Sequence, residues 1–176
     1  MGAVHESTPE ELAQATNILP MKTVWSVKEG GSVHKCRGVI CGNYQTKDPA
    51  EQVWTAQADT ASVMAGLRWA QLQEWSIGKL DIKGAFMYAN LPKDMLIIVR
   101  PLASWVRMGL VKPDTFWTVD KAVYGLRVSP RAWGQERDDK FAAAVWSDGH
   151  RDYKLVQCHS DRQVWMVVCT EDLCPQ

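Results

Sequence analysis

The sequence predicts an α+β fold, an antiparallel sheet with helices packed against it. Three observations lead there. The strand-formers Val24, Trp25 and Val27 are followed by the turn Glu29-Gly30-Gly31-Ser32 and by a second strand pattern from Val33 through Ile40, which together make a hairpin. Asp59-Thr60 opens a helical pattern that carries Val63, Leu67 and Ala70. Met95-Leu96-Ile97-Ile98-Val99 is apolar on both faces, as a strand covered from two sides is. With 176 residues, 46% of them hydrophobic, the chain can bury a sizeable core as one domain or as part of a larger one.

In order along the chain, residues 1–18 are a polar lead-in with a short helix begun by Ser7 or Thr8, Pro9 and Glu10-Glu11. The hairpin follows from Leu19-Pro20. It carries Lys28, Lys35 and Arg37, which can grip phosphate by charge and, for arginine, by a bidentate fork, or can simply stand in solvent. After Cys41-Gly42-Asn43, a polar connection leads to the helix at Asp59-Thr60, expected to run to about Trp75 and to pack on the sheet.

Residues 79–92 are the most informative stretch. A strand there places Leu80 and Ile82 on one face and Lys79, Asp81 and Lys83 on the other. Gly84 and Ala85 leave the next amides lightly covered and open to an anion, and Phe86 adds an aromatic wall. That pattern suits a metal-dependent phosphate site; it equally suits a solvated edge strand ending in a turn. The apolar strand at 95–99, ended by Pro101, is expected beside Asp81, fixing its backbone.

Residues 102–116 read as a connection with a short helix, and Phe116-Trp117-Thr118-Val119 as a strand. Ser129-Pro130 then starts a helix, with Ser129 as N-cap, that is expected to reach about Trp146 before Asp148-Gly149 stops it. Arg127 and Arg131 lie near its N-terminus, where anions are favoured. Packing of Tyr124 and Trp133 with surface arginines accounts for the same residues. Residues 164–168 form a last strand.

Composition narrows the function classes. Lys+Arg and Asp+Glu are both 20, so no global basic field announces a nucleic-acid partner. The charge is local: Lys22, Lys28, Lys35, Arg37 and Lys47 stand against Glu29 alone between residues 21 and 47. No apolar run approaches the ~20 residues of a membrane helix, and no signal-peptide pattern opens the chain, which points to an intracellular protein without a membrane partner. Cys36/Cys41 and Cys169/Cys174 share a spacing, and His159 adjoins Cys158, which raises a zinc site. The close spacing of zinc ligands is absent, so the five cysteines read as reduced thiols.

Three stretches in one order resemble the reverse transcriptase domain of Ty/copia-type retrotransposons. They are Leu19-Pro20-Met21-Lys22 through Cys41-Gly42-Asn43, Leu80-Asp81-Ile82-Lys83-Gly84-Ala85-Phe86 through Arg100-Pro101, and Ala122-Val123-Tyr124-Gly125-Leu126-Arg127 through Ser129-Pro130-Arg131-Ala132-Trp133. The resemblance spans most of residues 19–168. It implies fingers and a partial palm over that range, with 169–176 a truncated end.

The resemblance also implies roles. Asp81 becomes the first catalytic, metal-binding carboxylate of a two-magnesium RNA-directed DNA polymerase centre. Lys28, Arg37, Gly84, Ala85 and Phe86 become nucleotide-binding residues, with Phe86 closing over the sugar. Tyr124, Gly125, Arg127, Pro130 and Arg131 become template- and primer-binding residues. Implied partners are an RNA or DNA template-primer, deoxynucleotides and the rest of the polyprotein: the missing palm, thumb and RNase H.

The sequence departs from the family pattern at Gly84, where threonine is usual, at Val128, where glutamine is common, and at Ile40-Cys41-Gly42. The family's Tyr-Val-Asp-Asp, which carries the other two catalytic aspartates, is absent, and Glu171-Asp172 reads as loop. The expected function is therefore a reverse transcriptase fragment inactive on its own. A non-catalytic nucleic-acid-binding remnant and a relic without function stand as alternatives.

Overall fold

The computed structural model describes residues 2–27, 30–31, 33–46, 53 and 55–171. In order, the elements are β1 (Val4–Glu6), α1 (Pro9–Gln14), β2 (Ile18–Val27), β3 (His34–Ile40), α2 (Thr60–Leu72), β4 (Ile98–Arg100), α3 (Ala103–Arg107), β5 (Trp117–Val119), α4 (Ser129–Ala143), β6 (Val145–Ser147), β7 (Asp152–Gln157) and β8 (Trp165–Cys169). Short 3₁₀ turns occupy Gly42–Tyr44 and Ala85–Tyr88. The chain divides into two compact units, one of residues 1–54 and 84–133, the other of 55–83 and 134–176.

The first unit is built on a five-stranded sheet of order β1-β5-β4-β2-β3. The expected hairpin is there, β2 against β3 in register from Met21↔Ile40 to Val27↔His34. One pairing departs from the antiparallel expectation: β2 and β4 run parallel, Ile18 opposite Ile98. Parallel neighbours need a long crossover, and the long stretch between these two strands supplies it.

β4 lies between β2 and β5, and its two-sided cover leaves Ile98 and Val99 essentially without exposure. The core gathers Leu19, Ile40, Leu91, Ile97, Val99, Val119, Leu126 and Val128 from widely separated stretches. Each such aliphatic side chain contributes roughly 1.5–3 kcal/mol on burial.

The lead-in is more than a tail. β1 pairs with β5, and Thr8 and Glu11 form a reciprocal capping box at the start of α1. His5 ties the two together: its Nδ1 is 2.8 Å from Asp120 and its Nε2 3.1 Å from Glu11. The hydrogen bond to Asp120, then that to Glu11, raises the His5 pKa above its ordinary value. Glu11 is held low, first by the Thr8 backbone N–H it accepts and also by His5 and Thr118.

The second unit holds α2 and an antiparallel meander of order β6-β7-β8. α2 forms where the sequence predicts it, and the Asp59 N–H before it donates to the Asp161 carboxylate of the same unit. None of the helix residues is buried, and Val63, Met64, Leu67, Trp69 and Leu72 are all exposed.

α4 stops at Ala143, short of the expected Trp146, because Val145 and Trp146 enter β6. Asp148-Gly149 is then a hairpin turn rather than a helix stop. Asp148 accepts from the backbone N–H groups of His150 and Arg151 and from the Tyr153 hydroxyl, which lowers its pKa and raises that of Tyr153. Trp146 stacks on Tyr153 across the two strands.

The expected strand around Asp81 does not form. Residues 79–82 carry no regular structure, Leu80 is 94% exposed, and β4 has β2 and β5 as its neighbours. Alternation creates a strand only where a partner supplies ladder hydrogen bonds and a face to cover, and no described strand pairs with this stretch.

Among the described residues, no helix is long and apolar enough to cross a membrane.

Candidate functional site

The first unit brings three of the residues singled out in the sequence into one cluster. Arg37 projects from β3, opposite Val24 in the hairpin, and its guanidinium carbon lies 5.9 Å from the centre of the Tyr124 ring. The same ring meets Phe86 edge to face, with centroids 5.1 Å apart. Phe86 leans on the core, whereas Arg37 and Tyr124 remain exposed. The result is a cation and two aromatic rings in series, open to solvent on the cationic side. Such a surface can hold a phosphate by charge and a base or sugar by ring contact.

Backbone contacts fix the cluster. The Ile40 N–H donates to the Tyr124 carbonyl (2.9 Å), and the Gly42 N–H donates to the Gly125 carbonyl (3.2 Å). The end of β3 therefore lies directly against residues 124–125. Gly125 has φ +97°, and a Cβ there would collide with the Ile40 carbonyl, so the close approach requires glycine.

Ser129 holds the other end of this segment, and here the N-cap expectation is corrected. Its buried hydroxyl accepts from the Val123 N–H (3.0 Å) and donates to the Val123 carbonyl (2.7 Å), while Val128 supplies the carbonyl that begins α4. The side chain clamps the chain before the helix instead of capping the helix. The Ser-Pro pair signalled a helix start; nothing local signalled Val123 as the partner.

At Gly84 the backbone is left-handed, φ +64° and ψ 33°, and its carbonyl accepts from the Met87 N–H as the turn Ala85–Tyr88 begins. A side chain here would be strained, and glycine stands here where the related pattern has threonine. Gly84 and Ala85 are half-buried. Pro130, Arg127 and Arg131 are also half-buried, and both arginines are engaged with other groups. Lys28 lies outside the described residues, as does Asp172.

Asp81 belongs to the second unit and is exposed. Among the described residues, no group of three or more His, Cys, Asp or Glu side chains is placed to hold a metal ion. Two magnesium ions need several converging carboxylates. One exposed aspartate in irregular chain does not make that set, so the described residues do not fit a two-magnesium centre. Of the cysteines described, Cys41 and Cys169 are buried, Cys158 is half-buried and Cys36 is exposed, all as free thiols.

The sequence profile of a family described as reverse transcriptase (RNA-dependent DNA polymerase) matches residues 11–162. The chain belongs to this reverse transcriptase family. No solved structure matches it. The match includes Arg37, Asp81, Phe86 and Tyr124 and runs through both compact units.

Proposed function

We propose that this protein is the fingers and part of the palm of a Ty/copia-type reverse transcriptase, and that its first unit receives nucleotide and template-primer. The observation that supports this reading is the series Arg37, Tyr124 and Phe86, three residues from three distant stretches whose chemistry suits a phosphate followed by a sugar and base. Arg37 contributes charge that its stacking on Tyr124 holds in place, since a stacked guanidinium keeps its in-plane donors available. Phe86 gives the inner wall, and the amides after Gly84 lie at the start of the same turn.

Binding without transfer is the activity proposed for the chain by itself. Asp81 is kept as the carboxylate that a magnesium site of the family type would use, but no step of nucleotidyl transfer is assigned to a lone exposed carboxylate. Glu171 follows β8 after a single residue and is exposed.

Two measurements test the proposal. In equilibrium binding of a labelled template-primer, Arg37→Ala and Tyr124→Ala are each expected to weaken binding by about 1–3 kcal/mol; wild-type affinity in both variants would remove the cluster from the site. In primer extension with magnesium and deoxynucleotides, the chain alone is expected to give no product. Extension that disappears in Asp81→Ala would show that it carries a complete centre.

A further inference from the structure

A cationic recess in the first unit is lined by residues other than Arg37, Phe86 and Tyr124. It has a volume of about 440 Å³, and its walls include Arg100, Arg107, Phe116, Val106, Thr115 and Asp114. Arg100 closes β4 and Arg107 closes α3, so two short elements present their last residues to one space.

The guanidinium carbon of Arg100 lies 5.6 Å from the centre of the Phe116 ring. Stacking engages the face of the guanidinium and leaves its N–H edge available for an acceptor. Among the described residues, neither arginine is held in an ion pair with a carboxylate. Asp114 is the acidic group on the wall, so two positive charges face one negative. Phe116 and Val106 give the rest of the recess an apolar character suited to a ring. The volume falls within the range that small-ligand sites occupy.

We infer that this recess is a second nucleotide-binding site, taking a phosphate on Arg100 and Arg107 and a base or sugar against Phe116. The inference rests on the proposed nucleic-acid function and adds a contact made by other residues. The phosphate has two possible sources, a nucleotide within a strand or a free nucleotide. Both present the same chemistry to the arginines.

Fluorescence anisotropy of the whole chain with a short labelled single-stranded RNA, read over a salt series, tests the site. Arg100→Ala and Arg107→Ala are each expected to weaken binding about tenfold and to lower the slope of log affinity on log salt by about 1. Thr115→Glu, which adds a negative charge to the wall without removing an arginine, is expected to weaken it as well. Near-ultraviolet circular dichroism checks that each variant is folded, and Thr115→Glu supplies the answer if an arginine variant is not.

A free nucleoside monophosphate that displaces the RNA from wild type, but no longer does so in the arginine variants that still bind RNA, identifies a free-nucleotide site. Equal, weak competition in all of them identifies a strand site. Wild-type affinity in Arg100→Ala, Arg107→Ala and Thr115→Glu together with loss in Arg37→Ala would overturn this inference and leave the proposed function standing. Failure of the wild-type chain to bind either RNA or nucleotide would overturn both.

Discussion

Among the described residues, the buried aliphatic side chains lie in the first compact unit, although that unit also exposes Trp25, Val27 and Leu110. In the first, Leu19, Ile98 and Val99 are almost wholly removed from water, and even the aromatic Phe86 rests on that core. In the second, α2 carries Val63, Met64, Leu67, Trp69 and Leu72 in exposed positions, and Met166 and Val167 of β8 are open too. Both units have regular elements formed by good local signals. What differs is cover. An element can form from propensity, capping and turn chemistry, but burial supplies most of the stabilising free energy.

Paired substitutions should reveal that contrast most strongly. Ile98→Ala removes a side chain with 0% exposure and is expected to cost about 2–5 kcal/mol, whereas Leu67→Ala, at 41% exposure, is expected to cost less than about 1 kcal/mol. Chemical denaturation of the two variants measures both, and equal losses would show that α2 is covered in solution. Gly125→Ala attacks the first unit through its backbone. A left-handed φ and a collision with the Ile40 carbonyl predict a loss of about 2 kcal/mol or more, with the midpoint of unfolding as the readout.

Protonation separates the units more gently. The raised pKa of His5 means that its contribution is fully present below the ordinary value of 6.5 and is lost as pH rises through the folded value. Asp148, with its lowered pKa, contributes above its ordinary value of 3.8 and loses that contribution as pH falls through the folded one. Amide hydrogen exchange at Ser7, whose N–H donates to the Phe116 carbonyl, should therefore accelerate between pH 6.5 and mildly alkaline pH beyond the ordinary base-catalysed rise. His5→Ala should abolish that excess, and the β6–β7 turn should loosen only on the acid side. The smallest effect belongs to Asp81→Ala. An exposed side chain in irregular chain predicts a stability change within about 0.5 kcal/mol, and a larger loss in thermal unfolding would mean that Asp81 has a structural partner.

Legibility in the sequence followed the range of the interaction. The β2–β3 hairpin, the short helix begun at Ser7 or Thr8, α2 and the short α3 all rest on local signals, and all stand where the sequence placed them to within a few residues. β7 stands between Asp148-Gly149 and residue 164, where no element is expected from the sequence although Tyr153, Leu155 and Val156 are strand-formers. β1 was missed because its three residues carry too little pattern to mark a strand without the partner β5. The strand expected at Asp81 failed for the converse reason: its alternation was correct, but no partner was there to use it. At the site, Arg37, Phe86 and Tyr124 were all legible as residue types. Their contact was not, and neither was the bond from Ser129 to Val123.

The sequence by itself therefore determined the local pieces and the family, since strand-formers, capping residues and an ordered set of motifs are properties of neighbouring residues. Tertiary structure alone decided that β2 runs parallel to β4, that Gly125 must admit the Ile40 carbonyl, and that Arg37 rests on Tyr124 while Asp81 stands exposed. Those outcomes depend on which distant segments supply hydrogen bonds and cover, and a local pattern does not specify its distant partner.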